Sequence, residues 1–173
     1  MVLFVSLGDL LATRSAVIVP DAVGRDVAIA VCARLMFTRY ALFDRGSYGA
    51  CVDPAEPELL AAVTRLVAQA TGRALTLSGS RVLRLEPGDY VLARHDPQRT
   101  ERAIEAVLDL SPASVPGAEL HYRQHGQVFF RIPTVPGSLA IVPTNPTVSC
   151  NHTYVSKLHT AAVTRLIAVF ATS

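Results

Sequence analysis

The sequence predicts an α+β fold in one domain, a helical front third packed on a β-sandwich or barrel of roughly eight strands. Two features carry the prediction. Residues 1–75 hold two segments whose apolar residues recur at helical spacing. After Gly72 the texture changes to short apolar segments, separated by Pro, Gly and Asn turns at intervals of about ten residues. The whole chain, 1–173, reads as one domain, with 1–75 mainly helical support and 76–173 the β core. At 173 residues it is long enough to bury a full hydrophobic core.

Met1–Leu11, "MVLFVSLGDLL", is apolar but is interrupted by Asp9 and lacks a basic leader. It is expected to be a buried strand and not a signal peptide. "VGRDVAIAVCARLMFTRY" places Val27, Val31, Leu35 and Thr38 at helical spacing. "DPAEPELLAAVTRLVAQATG" carries a clearer stripe of Leu59, Leu60, Val63, Leu66, Val67 and Ala70. Asp53 can cap this helix, Pro54 and Pro57 suit its first turn, and Gly72 can end it. "SRVLRL", "DYVLAR", "AIEAVLDL", "AELHYR", "QVFFRI", "SLAIVP" and "VTRLIAVF" are the expected strands. "EPGD", "SPASVPG", "RQHGQ", "TVPG" and "PTNPT" are the turns between them.

Composition excludes several classes. Half the residues are apolar and 17% are charged, which argues against disorder. The net charge is only +2 and there is no basic block, so nucleic acid is not an expected partner. No apolar run approaches the ~18 residues that would span a bilayer, so no membrane is expected. Cys32, Cys51 and Cys150 have no close spacing, which argues against a disulfide scaffold and a thiolate zinc site and fits a reducing cytoplasm.

The chemistry-bearing residues lie in the β half. His95 and Asp96 end one expected strand, in "ARHDP". His152 follows "PTNPTVSCN", and Arg165 lies within the apolar strand "VTRLIAVF". An Arg flanked by apolar residues needs an anion, either a carboxylate of the chain such as Asp109 or Glu119, or a ligand. His95–Asp96 is otherwise a surface turn, and His152 a loop residue satisfied by backbone. His159 competes with His152. His121 and His125 read as a hairpin tip, Tyr90, Tyr122 and Tyr154 as aromatic core or pocket lining, and Cys150 as a small buried residue.

The succession "SRVLRLEPGDYVLARHD", "RAIEAVLDLSP", "GAELHYR", "PGSLAIVP", His152 and "TRLIAVF" resembles the iron(II)/2-oxoglutarate-dependent dioxygenases, the prolyl-4-hydroxylase-like branch in particular. The resemblance covers about residues 80–170. It implies a double-stranded β-helix, a jelly-roll barrel with the N-terminal helices packed on it. It also implies iron(II) held by His95, Asp96 and His152, with Arg165 on the far carboxylate of 2-oxoglutarate as cosubstrate. The expected activity is oxidation, by hydroxylation, of a C–H bond in a small molecule. The short chain leaves the pocket open, or completed by a second subunit in a homodimer.

The family pattern is His-x-Asp, whereas Asp96 here is adjacent to His95 and Pro97 follows. On a regular strand Asp96 would face away from His95. It can ligate if Pro97 ends the ladder and a bulge re-aims the carboxylate. Otherwise a two-histidine iron with an exogenous third ligand remains, or a carboxylate from Asp109 or Glu119. Two other classes stay open: a binding or interaction protein that keeps the jelly roll without catalysis, and a cupin-like metal enzyme that does not use 2-oxoglutarate. Only the 2-oxoglutarate reading needs Arg165 to face the metal pocket.

Overall fold

A computed structural model describes residues 16–35, 41–42, 49–52, 54 and 56–171. The expected N-terminal strand of Met1–Leu11 and the cap at Asp53 lie outside the described residues. Helix α1 spans Arg25–Leu35. Its buried face is Ala28, Val31, Cys32 and Leu35; Val31 and Leu35 belong to the expected stripe, whereas Val27 is 50% exposed and Ala28 is buried in its place. Helix α2 spans Pro57–Thr71, with Pro57 opening it and Leu59, Val63, Val67 and Ala70 buried. Glu56 takes the N-cap position. Gly72 ends the helix in the left-handed conformation (φ 65°), and its N–H bonds the Ala68 carbonyl.

Ten strands follow the chain among the described residues. They are β1 (Val17–Val19), β2 (Ala41–Leu42), β3 (Gly49–Val52), β4 (Thr76–Leu85), β5 (Ala103–Asp109), β6 (Leu120–Gln124), β7 (Gln127–Ile132), β8 (Leu139–Thr144), β9 (Val148–His152) and β10 (Val163–Ala171). They form a seven-stranded sheet, β1-β8-β5-β10-β4-β3-β2, and a three-stranded sheet, β7-β6-β9. All the pairings are antiparallel. The β6–β7 hairpin turns at His125–Gly126, both at positive φ, which explains His125 as a turn residue.

Strand alternation divides the large sheet into two faces. Val82, Ile104, Ala106, Leu108, Leu166, Ala168 and Phe170 share one apolar core with the helical residues Ala28, Val31, Leu59, Val63 and Val67. Leu83, Leu85, Val107, Ala140, Val142, Val163 and Ile167 face the small sheet and pack with Leu120, Tyr122, Val148 and Cys150. Every residue of β5 is therefore buried, having a core on both sides. By the same parity Glu105 and Asp109 of β5 and Arg165 of β10 point between the sheets. These charged side chains in an apolar interior position the site.

The segment expected as the strand "DYVLAR" is different. Only Val91 bridges the sheet, to His152, and a 3₁₀ turn follows at Ala93–His95. The His95 and Asp96 N–H groups close this turn onto the Leu92 and Ala93 carbonyls, and Pro97 has no N–H with which to resume a ladder.

Candidate functional site

Asp96 leaves the turn with extended backbone angles, φ −69° and ψ 134°, as expected of a residue before proline. Its side chain turns inward and is only 4% exposed. It does not meet His95, whose half-buried ring lies on the turn and accepts the Arg94 Nε–H at 3.3 Å. It meets Arg99 and Cys150. Arg99 Nη1 donates to Asp96 Oδ2, the Cys150 N–H donates to the same oxygen at 2.8 Å, and the Cys150 thiol donates to Oδ1 at 3.1 Å. Burial, together with Asp96 and Glu105, pushes the Cys150 thiol well up, so it stays protonated.

Glu105 closes the cluster from β5. Its oxygens accept Arg99 Nε at 2.6 Å and Nη2 at 2.9 Å, and the buried Tyr122 hydroxyl donates to Oε2 at 2.7 Å. Burial opposes the Arg99 charge, but the Glu105 and Asp96 carboxylates outweigh it and hold the guanidinium above its ordinary value. Burial and the Glu105 carboxylate raise Tyr122, so its phenol is a neutral donor.

A second polar cluster begins two same-face steps further along β5, past Val107. Asp109 faces Arg165 across the β5–β10 register, and Arg165 Nε lies 3.9 Å from Asp109 Oδ2. That contact is an ion pair and not a hydrogen bond, and Nε has no hydrogen-bond partner; the Nη groups donate to His152 Nδ1 (3.0 Å), the Ala118 carbonyl (2.8 Å) and Thr134 Oγ1 (3.1 Å). Its side chain is 0% exposed and that of Asp109 is 1%. Burial lowers Arg165 and raises Asp109; the Arg165 charge and the Ser111 and Val135 N–H groups limit the Asp109 shift. His152 is held well below its ordinary value by burial and by the Arg165 and Arg81 charges, so its ring is neutral. Since Nδ1 accepts from Arg165, the proton sits on Nε2, which is buried without a partner.

The four expected site residues are thus split. Asp96 belongs to one cluster, His152 and Arg165 to the other, and His95 to neither. Asp96 meets Cys150 of β9, and His152 lies one same-face step beyond it, ~7 Å along the strand. Of the alternative carboxylates, Asp109 is on Arg165, and Glu119 is paired with His121 at 2.7 Å. Sequence reasoning missed Arg99, Glu105 and the role of Cys150. Glu105 had a legible signal: Glu105, Val107 and Asp109 alternate on one face of an otherwise apolar strand. Arg99 had none, because its partners come from the turn, β5 and β9. Counted back from Asp96, the family's His-x-Asp pattern falls on Arg94 and not on His95.

A pocket of about 410 Å³ opens beside the first cluster, between the Ala93–His95 turn and the β8–β9 turn. Arg94, Asp96, Gln98, Arg99, Pro146 and Ser149 are among its lining residues.

No protein-family model matches the chain, and no curated protein matches it in sequence. Solved structures do. A prolyl-4-hydroxylase from Pseudomonas putida aligns over 96% of this chain and 97% of its own, with a TM-score of 0.71 at 19% identity. An oxidoreductase of the 2OG-Fe(II) oxygenase family from Burkholderia pseudomallei covers 95% and 88%, with a TM-score of 0.68 at 14% identity. HygX from Streptomyces hygroscopicus, solved with nickel and 2-oxoglutarate, covers 95% and 85%, with a TM-score of 0.64 at 10% identity.

Those neighbours imply iron and 2-oxoglutarate, and the side chains described above do not fit that pair. With Nδ1 accepting from Arg165, the proton of the neutral His152 ring is assigned to Nε2, so ligation through Nε2 would need Arg165 to leave Nδ1. Both oxygens of Asp96 are taken, one of them by a cation of the chain itself. Among the described residues no group of three His, Cys, Asp or Glu side chains could hold a metal ion. What this chain shares with those oxygenases is the fold.

Proposed function

We propose that this chain is a binding protein built on the oxygenase jelly roll, a double-stranded β-helix that works without a resident metal or 2-oxoglutarate. The observation that carries the reading is that the Asp96 carboxylate already has its cation, the guanidinium of Arg99. The second cluster supports it in the same way. Arg165, the residue expected to hold the cosubstrate, is paired with the chain's own Asp109 carboxylate and is sealed from solvent. The pocket beside Arg94 and Ser149 is the place for a small-molecule ligand, and its volume lies within the range of small-ligand sites.

A second reading follows from the neighbours, which are 2-oxoglutarate-dependent iron(II) oxygenases. In it the chain hydroxylates a C–H bond of a small molecule, with His95, Asp96 and His152 on iron(II) and Arg165 on 2-oxoglutarate. It requires Arg99 to withdraw from Asp96, and Arg165 from both His152 and Asp109. Anaerobic equilibrium dialysis against iron(II), with and without 2-oxoglutarate, separates the two. The binding reading expects no stoichiometric iron in either condition. One iron per chain, bound more tightly with 2-oxoglutarate present, would establish the oxygenase reading instead.

A further inference from the structure

We infer that Asp96, Glu105 and the Val148 carbonyl form a recognition site for a planar guanidinium group, and that Arg99 is its tethered occupant. The inference deepens the metal-free reading and rests on it. A guanidinium has five N–H donors in a fixed fork. All five of Arg99 find an acceptor. Nε and one Nη2 hydrogen go to Glu105, the Nη1 hydrogens go to Asp96 and to the Val148 carbonyl (3.1 Å), and the remaining Nη2 hydrogen points toward Cys150 Sγ at 3.8 Å. The Tyr122 ring forms a wall, its centroid 5.9 Å from Arg99 Cζ.

These acceptors come from separate parts of the chain. Asp96 belongs to the turn, Glu105 to β5, and Val148 and Cys150 to β9. Each carboxylate also has a partner other than Arg99. The Asp96 carboxylate is fixed by the Cys150 N–H and thiol, and Glu105 by Tyr122. Both carboxylates have 4% exposed side chains, so the site is a desolvated anionic clamp and Arg99 brings the charge that offsets it. Its shape selects a flat, forked cation over a point charge such as an ammonium. The pocket lined by Asp96 and Arg99 gives a free cation access when the tether is shortened.

The test is chemical rescue. Arg99→Ala removes the occupant and should lower the thermal midpoint. Methylguanidinium at millimolar concentration should restore it saturably, while methylammonium and sodium chloride at equal ionic strength should not. Adding Glu105→Gln to Arg99→Ala should weaken the rescue by at least about 10-fold, the loss of a charge-assisted bidentate contact. Equal effects of methylguanidinium and methylammonium, or rescue indifferent to Glu105→Gln, would overturn the inference. Should Arg99→Ala not fold, the wild-type protein still decides. The Arg99 Nε–H resonance should be protected from solvent exchange, and rapid exchange there would also overturn it. Iron binding by the wild-type chain would instead count against the metal-free reading, so the two failures are distinct.

Discussion

Replacing Arg165 by leucine should destabilise the fold, not merely a ligand complex. The guanidinium is 0% exposed and faces Asp109, 1% exposed, across the central strand pair. Leucine would strand that carboxylate between the sheets. Breaking a buried pair by removing one partner costs about 3–5 kcal/mol. The Ala118 carbonyl keeps its bond from Thr134 Oγ1 (2.6 Å), so its share of the loss is small. A domain of this kind has about 5–15 kcal/mol in all, so the variant should be marginal at 25 °C. Urea denaturation followed by far-ultraviolet circular dichroism measures the loss. Asp109→Asn added to Arg165→Leu should recover part of it, because the charge is no longer buried alone, and the cycle gives the coupling. The loss should also shrink in acid, where the stranded carboxylate takes up a proton. A change under about 1 kcal/mol in Arg165→Leu, equal at neutral and acid pH, would refute the argument. It would leave Arg165 free for the anionic ligand that the sequence alone suggested.

Two further outcomes follow from the same geometry. His152 has a folded-state value below its unfolded one, so its contribution to stability is complete above pH ~6.5 and is lost as the pH falls below that. Asp109, on the same guanidinium, is raised, so its contribution has the opposite sign, being present in acid and lost as the pH rises above the ordinary carboxyl value of 3.8. His152→Gln, which still offers Arg165 an oxygen, should remove up to ~1.4 kcal/mol per pH unit of slope between about pH 6.5 and 5; urea midpoints across that range with an unchanged slope would count against a buried neutral imidazole. Gly137 has φ 81°, and a Cβ there would lie 3.2 Å from backbone atoms of Gly24 and Arg25. Gly137→Ala should therefore cost about 1–3 kcal/mol, and a thermal midpoint equal to wild type would show that the turn relaxes freely.

The legibility of the site follows the range of its interactions. Alternation alone puts Glu105, Val107 and Asp109 on one face of β5, and Arg165 and Ile167 on one face of β10. The helix stripe Leu59, Val63, Val67, Ala70, with Pro57 at one end and Gly72 at the other, is equally local, and the structure keeps it. Even the inward turn of Asp96 was legible, since Pro97 restricts its backbone and withholds an N–H. The α1 stripe was read correctly at Val31 and Leu35 but not at Val27, because that helix is apolar over most of its circumference and its sequence does not pick out a single face.

Pairing is another matter. His95, Asp96, His152 and Arg165 stand in the order of a metal site, yet order along a chain does not say which side chains meet. The 3₁₀ turn at Ala93–His95 rotates His95 away, and the register of β9 presents Cys150 to Asp96 while His152 falls to Arg165. Arg99 reaches β5 and β9 from a segment with no periodicity at all. Local pattern was enough for α2, for β4 to β8 and β10, and for the burial of charge along β5 and β10, because each depends on neighbours within a few residues. Which charge neutralises which is settled by the three-dimensional packing. That choice is set by strand register and turn geometry, which bring residues more than 40 positions apart, such as Arg99 and Val148, to within 3.1 Å.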